Sequence, residues 1–157
     1  MKTRLLFASL IMVFLASSCT VDPIEQTEVP SANNAVEVEH ELLGIVNAHR
    51  SAMGQGDLSF SPVAYEHAND HNDYMVATGT LSHHNFSLRA SQISSETNAE
   101  FVAENVAKGY STAEAAFQNW LDSPNHKSTL EDDFTHTAIS VKVDENGIFY
   151  YTQLFYR

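Results

Sequence analysis

The C-terminal stretch TAISVKVDENGIFYYTQLFYR, residues 137–157, decides the fold, because it carries a clear strand signal. β-Branched and aromatic residues alternate with period two on both sides of the sequence DENG, residues 144–147. Asn146 followed by Gly147 suits a tight hairpin turn, because both residue types tolerate the positive φ angles that such turns need. The stretch therefore predicts a terminal β-hairpin.

Two helices are predicted in the first half of the chain. Apolar residues recur at helical spacing over residues 38–53, and the polar sequence GQGD at residues 54–57 ends this pattern. Ser61 followed by Pro62 is a typical helix start, and the second helix then runs up to Gly79. The predicted core face of this second helix contains Ala64, Ala68, His71 and Met75.

A third helix is indicated by the capping box Ser111-Thr112-Ala113-Glu114. Its predicted core face contains Ala116, Phe117, Trp120 and Leu121. Ser123 and Pro124 repeat the cap-and-proline start for a short helix up to Glu131. Helices first and antiparallel strands last predict an α+β layered domain, and the roughly 120 residues from Val38 onward suffice for one core.

The N-terminus predicts export from the cytoplasm. MKTR is a short basic segment, and the twelve apolar residues LLFASLIMVFLA that follow it are too few for a permanent membrane span. Residues 1–18 are therefore predicted to be a signal peptide. ASSC at residues 16–19 resembles a bacterial lipobox, in which the cysteine is lipidated. The alternative is an ordinary signal peptide in which Cys19, the only cysteine, is incidental.

Residues 19–37 are predicted to be the lipidated Cys19 and a flexible tether, because TVDPIEQTEVPSANNAVE is polar, acidic and without apolar periodicity. The globular domain then covers residues 38–157. Loss of residues 1–18 removes Lys2 and Arg4 but no acid, so the formal net charge changes from −12 to −14. So acidic a chain repels phosphate backbones, and a nucleic-acid partner is not expected.

The eight histidines are the chemically unusual feature of this composition. His67 and His71 have the i, i+4 spacing with which one helix face can chelate a metal. The glutamate of a zinc-protease motif is absent between them, and His71 lies on the apolar stripe. A hydrogen-bonded, partly buried His71 and a solvent-exposed His67 are therefore the favoured prediction.

Four further residues, His83, His84, Glu104 and His126, are predicted to lie in irregular segments or at the starts of elements, where functional groups concentrate. Adjacent side chains point to opposite sides of an extended chain and diverge by about 100° on a helix. At most one of His83 and His84 can therefore join a given site.

Five motifs follow one another along the chain: GTLSH (79–83), HNFSLR (84–89), AENVAKG (103–109), NWLDSPNH (119–126) and YYTQLFYR (150–157). This ordered set resembles the CAP superfamily of cysteine-rich secretory, antigen 5 and pathogenesis-related proteins, and in particular its bacterial, disulfide-free branch. The resemblance implies a three-layer α-β-α sandwich with a central antiparallel sheet. It also implies a cleft lined by two histidines and two acidic residues, which in some members holds a divalent metal, often zinc.

Carried over motif by motif, the resemblance places His83, Glu104 and His126 in this cleft. The fourth position is Ser123, which is neutral where complete members have a glutamate, and it also suits a helix cap. A Gly-x-Gly motif of the family is likewise replaced, by Ala138 and Ser140. His83 and His126 would hold Zn²⁺ or another divalent metal weakly. Glu104 would either coordinate it or orient a water molecule or an imidazole.

The predicted function is a binding or interaction module of the bacterial cell envelope, lipid-anchored through Cys19, with an acidic, histidine-containing cleft for an extracellular lipid or peptide. One alternative is a weak metal-dependent hydrolase of the peptidase kind, with Glu104 as general base. A second is a purely structural cluster in which Glu104 bonds both imidazoles. In each case His83 is predicted to point into the cleft and His84 away from it. Phe86 is predicted to pack beneath this loop, and Arg89 to pair with a carboxylate.

Overall fold

The computed structural model describes residues 32–157. The predicted signal peptide and the predicted lipidation of Cys19 lie outside the described residues. The first strand, β1 (Asn33–Asn34), and the first helix, α1 (Val36–Ala52), both begin before Val38. The predicted tether is therefore wrong for residues 33–37. The sequence could not reveal β1, because this two-residue strand is held by a partner more than 100 residues away in the chain.

The described part of the chain contains five helices and five strands. The remaining helices are α2 (Pro62–Thr78), α3 (Phe86–Thr97), α4 (Ala113–Asp122) and α5 (Pro124–Leu130). The remaining strands are β2 (Ser59–Phe60), β3 (Val102–Lys108), β4 (His136–Val143) and β5 (Phe149–Tyr156). None of the helices in residues 32–157 is long and apolar enough to cross a membrane.

The three long strands form an antiparallel sheet, as predicted. β4 and β5 pair from His136↔Tyr156 to Val143↔Phe149, which confirms the terminal hairpin. β3 pairs with the other edge of β5, from Val102↔Tyr156 to Lys108↔Tyr150. The short strands β1 and β2 both pair with β4, and β2 does so in the parallel direction. β3 is thus an edge strand of the sheet.

The hairpin turn contains Asn146 and Gly147, as predicted, and is one residue longer than a two-residue Asn-Gly turn. Asp144 N donates to Ile148 O at 3.0 Å and closes a loop of three residues, 145–147. Only Gly147 in this loop has a positive φ, of 77°. The Asp144 carboxylate accepts from the backbone N–H groups of Asn146 and Ile148, both at 2.9 Å, and these bonds favour the longer loop. The turn is therefore of the kind in which a single left-handed glycine follows two ordinary residues.

Helices cover both faces of the sheet, which confirms the three-layer α-β-α sandwich. Side chains alternate along each strand, so Val141 and Tyr151 face one helix layer while Ala138 and Leu154 face the other. α1, α4 and α5 form the first layer, and α2 and α3 form the second. The larger core cluster contains Leu42, Val46, Ala116, Trp120, Leu130, Ile139, Val141, Tyr151 and Phe155.

The predicted helix starts are largely confirmed. Ser61 Oγ accepts from Ala64 N at 3.2 Å at the start of α2. The capping box is wrong by one residue, because Thr112 rather than Ser111 is the N-cap of α4 and accepts from Ala115 N. Ser123 stands between α4 and α5 as the N-cap of the latter, as predicted, but its side chain makes no capping hydrogen bond.

Helix α3 and strand β3 were not predicted from the residue pattern. The sequence of α3, FSLRASQISSET, is rich in serine and threonine, and only Arg89 and Ile93 are buried along it. β3 has the sequence VAENVAK, whose polar residues Glu104 and Asn105 are buried. Neither segment shows the apolar period of its element, because each buries polar groups. Glu104 is the third residue of strand β3. The prediction that it lies in an irregular segment or at the start of an element is therefore wrong.

Candidate functional site

The loop that carries His83 joins α2 to α3 and is fastened at two carbonyl groups. His71 Nε2 donates to the carbonyl oxygen of Ser82 at 2.7 Å. Arg89 Nη1 donates to the carbonyl oxygen of His84 at 2.9 Å. The two bonded carbonyls lie immediately before and after His83, so the backbone on both sides of this residue is fixed from the helix layer beneath.

Glu104 is the centre of the site. It lies on the edge strand β3, faces the α2–α3 layer and is 8% exposed. Its Oε1 accepts from His83 Nδ1 at 2.8 Å, and its Oε2 accepts from Arg89 Nε at 2.9 Å and from Arg89 Nη2 at 2.6 Å. The predicted pairing of Arg89 with a carboxylate is confirmed. Both oxygens of Glu104 are therefore engaged by other side chains.

This arrangement fixes the tautomer of His83. A carboxylate that is paired with a guanidinium is ionised and can only accept hydrogen bonds. His83 Nδ1 must therefore carry the proton that it shares with Glu104, and a neutral His83 carries its lone pair on Nε2. Because the His83 side chain is 50% exposed, the imidazole is accessible from solvent.

His126 reaches the same place from the opposite helix layer, as the third residue of α5. Its ring centroid lies 6.4 Å from that of His83, with the two planes tilted by 37°. Burial lowers the pKa of His126, and the neighbouring His83 imidazole lowers it further. The structure thus brings His83, Glu104 and His126 together at the β3 edge, with Ser123 one helical turn before His126.

His84 points away from this cluster, as predicted. Its imidazole stacks on the ring of Tyr74 with 4.8 Å between centroids and 15° between planes. Phe86 is the first residue of α3 and packs against the core cluster that contains Ala68 and Ile93. Phe86 is therefore a helix residue that packs against the core, rather than a residue of the loop.

The i, i+4 histidine pair of α2 has protein partners. His71 is buried and hydrogen-bonded, as predicted, and burial lowers its pKa. His71 Nε2 lies 4.0 Å from Glu104 Oε1. The prediction of a solvent-exposed His67 is wrong, because its side chain is 14% exposed and its Nε2 bonds Glu96 Oε1 at 3.0 Å. The spacing of His71 in the sequence indicated burial alone. It could not show that His71 fixes the loop of His83 by a hydrogen bond to the Ser82 carbonyl.

The donor atoms of the cleft fit a weak divalent-metal site better than a catalytic zinc site. A catalytic zinc site usually has three protein ligands. The residues that the structure describes contain no group of three His, Cys, Asp or Glu side chains that could hold a metal ion. Glu104 is engaged by Arg89 and His83, which leaves two imidazoles as ligands. Glu104 would then act by orienting His83, as carboxylates beside metal-binding histidines commonly do.

A groove of about 220 Å³ between α2 and α3 adjoins the cleft. It shares His71 and Arg89 with the site, and Leu88 at its edge is 59% exposed. The other residues that line the groove are His67, Asp70, Tyr74, His84, Asn85 and Gln92. The lining is thus a mixture of imidazole, aromatic, amide, carboxylate and guanidinium groups with one aliphatic side chain.

The sandwich and its edge-strand site define the class of protein. The family model for the cysteine-rich secretory protein family, called CAP, matches residues 43–155. This match covers well over half of the chain, so the protein belongs to the CAP family, as the sequence motifs predicted.

The curated relatives of the chain include a bacterial membrane protein. The chain is 31% identical over 121 residues to the uncharacterized membrane protein YlbC of Bacillus subtilis (strain 168). The match covers 74% of this chain but 34% of YlbC, so the chain spans about a third of the length of this curated relative.

Solved structures with the same fold come from other bacteria. An outer surface protein from Borrelia burgdorferi has a TM-score of 0.74 at 17% identity, over 82% of this chain and 98% of that one. An extracellular protein containing an SCP domain, from Bacillus anthracis str. Ames, has a TM-score of 0.68 at 24% identity, over 78% and 41% of the respective chains. A cysteine-rich secretory protein from Staphylococcus aureus subsp. aureus Mu50 has a TM-score of 0.65 at 20% identity, over 85% and 40%. At these identities the likeness shows the fold alone.

Proposed function

We propose that this CAP-domain protein is a surface-displayed binding module whose cleft, formed by His83, Glu104, Ser123 and His126, accepts an extracellular ligand. The observation that carries the proposal is that both carboxylate oxygens of Glu104 are hydrogen-bonded, to His83 and to Arg89. A carboxylate in this state orients an imidazole. Three of its roughly four lone-pair sites are occupied. The Glu104 side chain is also 1% exposed, so an attacking water has little access to it.

The alternative of a metal-dependent hydrolase is less well supported by this geometry. As a general base, Glu104 would take up a proton and lose its charge beside Arg89, whose side chain is 9% exposed. Breaking such a pair leaves a buried charge without a partner, which costs several kcal/mol. Ser123 supplies no second carboxylate. The favoured role of the cleft is therefore recognition.

A divalent metal can take part in this recognition. His83 and His126 would hold Zn²⁺ or another divalent metal, and Glu104 would fix the His83 ring from behind. The bound ion would supply a Lewis-acidic centre for an anionic group of the ligand. Two imidazoles alone make a weak site, so we expect the metal to bind with low affinity.

A peptide suits the groove beside the cleft better than a lipid does. A lipid chain needs a long apolar channel, whereas this groove holds about 220 Å³ and is lined mainly by polar and aromatic groups. Tyr74 and His84, whose rings stack on each other, provide aromatic contacts, and Leu88 provides an exposed apolar contact. One side chain of an extended peptide would fill the groove while its backbone crosses the cleft.

Display outside the cytoplasm is supported by the predicted signal peptide and lipobox at residues 1–19. The relatives point the same way, since one is described as an outer surface protein, another as extracellular and a third as a membrane protein. We propose anchoring to the cell envelope through a lipid on Cys19. Mass spectrometry of the protein from a bacterial membrane fraction tests this step. A diacylated or triacylated Cys19 is expected, and Cys19→Ser should abolish membrane retention.

A zinc titration separates the binding module from the hydrolase. We expect calorimetry of the metal-free protein to show a dissociation constant weaker than about 1 μM, lost in both His83→Ala and His126→Ala. His84→Ala is the matched control, because it removes the adjacent imidazole that faces Tyr74, and it should leave zinc binding unchanged. Tight stoichiometric binding together with hydrolysis of a peptide library would contradict the proposal and support the hydrolase.

Peptide display identifies the ligand class. A random peptide library should yield sequences that bind the wild type and lose binding to Leu88→Asp and His83→Ala. Phe60→Asp is the control, because Phe60 is also an exposed apolar residue but lies beside β4, at the far edge of the sheet. Vesicles of phosphatidylglycerol form the lipid arm of the experiment. Retention on vesicles without peptide enrichment would overturn the choice of a peptide.

A further inference from the structure

Asn105 Oδ1, Gln153 Oε1 and His126 Nδ1 are among the buried polar atoms that have no hydrogen-bond partner within residues 32–157. Asn105 and Gln153 are both fully buried and stand directly opposite each other in the β3–β5 pairing. Both side chains project to the sheet face that α4 and α5 cover, since the residues two positions away on each strand pack in that core. The backbone carbonyl of His126 bonds to Asn105, so the three residues are neighbours.

The orientation of both amides is fixed by the hydrogen bonds that they donate. Asn105 Nδ2 donates to the carbonyl oxygen of His126 at 3.1 Å. Gln153 Nε2 donates to Thr137 Oγ1 at 3.1 Å, and this hydroxyl in turn donates a hydrogen bond to Leu154 O at 2.7 Å. The two amide atoms that remain are therefore oxygens, which can only accept hydrogen bonds. Two buried acceptors on residues that stand opposite each other in adjacent strands require a hydrogen-bond donor.

We infer that a water molecule is buried among these three atoms and that Asn105 and Gln153 act through it as positioning residues for His126. A water molecule donates two hydrogen bonds and accepts others. If it donates to Asn105 Oδ1 and to Gln153 Oε1, it accepts from the third atom, His126 Nδ1. Nδ1 then carries the proton, and the lone pair of a neutral His126 lies on Nε2.

The consequence is that the edge strand β3 sets the tautomers of both cleft histidines. Glu104 and Asn105 are consecutive, so their side chains point to opposite faces of the strand. Glu104 accepts a hydrogen bond from His83 Nδ1 directly, and Asn105 accepts one from the water molecule to which His126 Nδ1 donates. Both imidazoles then keep Nε2 as the atom with the lone pair. The inference deepens the proposed function. It rests on that proposal only where the two lone pairs are assigned to a ligand or metal.

The tautomer of His126 tests the inference without any metal or ligand. In ¹⁵N NMR spectra of the metal-free wild-type protein at a pH where His126 is neutral, Nδ1 is expected to carry the proton. A protonated Nε2 would overturn the inference. A high-resolution crystal structure should show one water molecule within hydrogen-bond distance of all three atoms. A monovalent cation in this position, or a dry contact between the side chains, would also overturn it.

Variants separate this role from ordinary core packing. In Asn105→Leu and in Gln153→Leu, the ratio of the Nδ1–H to the Nε2–H tautomer of His126 should fall about tenfold, the factor that one lost hydrogen bond produces. Asn72→Leu removes an equally buried amide from the opposite sheet face and should leave the ratio unchanged. An unchanged ratio in the Asn105 and Gln153 variants would contradict the inference.

The wild-type spectrum and crystal structure remain decisive if a leucine variant does not fold. Failure of zinc or peptide binding would overturn the proposed function but would leave each of these readouts as expected. The two failures are therefore distinguishable.

Discussion

The two edges of the sheet each bury one glutamate, and the two carboxylates have different kinds of partner. At the β4 edge, Glu39 is 5% exposed and accepts three hydrogen bonds of 2.8 Å. The donors are the Asn34 amide, the Tyr65 hydroxyl and the backbone N–H of Val141. All three are neutral and fixed, so this network ties β1, α1 and α2 to β4.

At the β3 edge, Glu104 is similarly buried but accepts from a cation and from a titratable ring. Arg89 neutralises the carboxylate, and His83 is half exposed to solvent. A glutamate surrounded by fixed neutral donors joins elements together, whereas one that is shared between a buried cation and an accessible imidazole presents that imidazole to solvent. The comparison favours a structural role for the Glu39 edge and supports the proposal that the Glu104 edge is the functional one.

The same substitution at the two edges should have the largest and most unequal effects. Glu104→Gln leaves the Arg89 guanidinium buried without an anion, and we expect a loss of about 3–5 kcal/mol in the free energy of unfolding. Glu39→Gln keeps one amide oxygen for its N–H donors, while its NH₂ group can donate to the Tyr65 oxygen. We expect a loss of about 1–2 kcal/mol there. Urea unfolding of both variants measures the difference, and equal losses would remove the distinction.

The hydroxyl of Tyr65 should contribute about 1–2 kcal/mol and should make the Glu39 edge sensitive to alkali. Burial and the bond to Glu39 raise the pKa of Tyr65 above its ordinary value of 10.0. A folded pKa above the unfolded one gives stability that is present below about pH 10 and is lost as pH rises beyond it. Tyr65→Phe should lower the stability at pH 7 and flatten its decline above pH 10. An unchanged alkaline decline would contradict this.

The Glu104 edge should respond to acid instead, with a smaller effect. Burial lowers the pKa of His71 and of His126 below the ordinary value of 6.5, so the unfolded chain binds more protons than the folded one as pH falls. This contribution to stability is complete above about pH 6.5 and is lost as the pH falls below that value. We expect His71→Gln to make the free energy of unfolding decline less steeply below about pH 6.5. His40→Gln, an exposed histidine on α1, is the control and should leave the slope as it is.

The smallest effect is expected for an ion pair that belongs to neither edge cluster. Lys127 Nζ, on α5, lies 4.0 Å from Oε1 of the C-cap residue Glu131, and the Lys127 side chain is half exposed. Lys127→Gln should change the free energy of unfolding by less than about 0.5 kcal/mol. A larger loss would mean that charge in general, rather than burial of the Glu104 pair, determines stability here.

Local patterns predicted the elements whose signals are local. The Ser61-Pro62 start of α2, the core residues of α4 and the terminal hairpin follow from caps and periodicity alone. The adjacent histidines were separated correctly because alternate side chains diverge. The trio of His83, Glu104 and His126 came from the order of family motifs, because no spacing rule connects residues on a loop, a strand and a helix.

The features that the sequence could not predict depend on contacts with residues that are distant in the chain. β1 exists because Asn33 and Asn34 pair with β4, and β3 and α3 bury Glu104 and Arg89 as a pair, which hides their periodicity. His67 loses its expected exposure because Glu96 on α3 faces it. The state of Glu104 follows only from geometry, since its motif is equally compatible with a base, a ligand and an orienting group.

The central claim is that Glu104 orients His83 while the two imidazoles face the ligand. The most direct test is to record ¹⁵N NMR spectra of the histidine and arginine side chains during a titration with Zn²⁺. We predict that the imidazole nitrogens of His83 and His126 shift together, while the Arg89 Nε–H signal, bonded to Glu104, stays in place. Loss of that Arg89 signal on adding zinc, or a shift of His84 in place of His83, would contradict the claim.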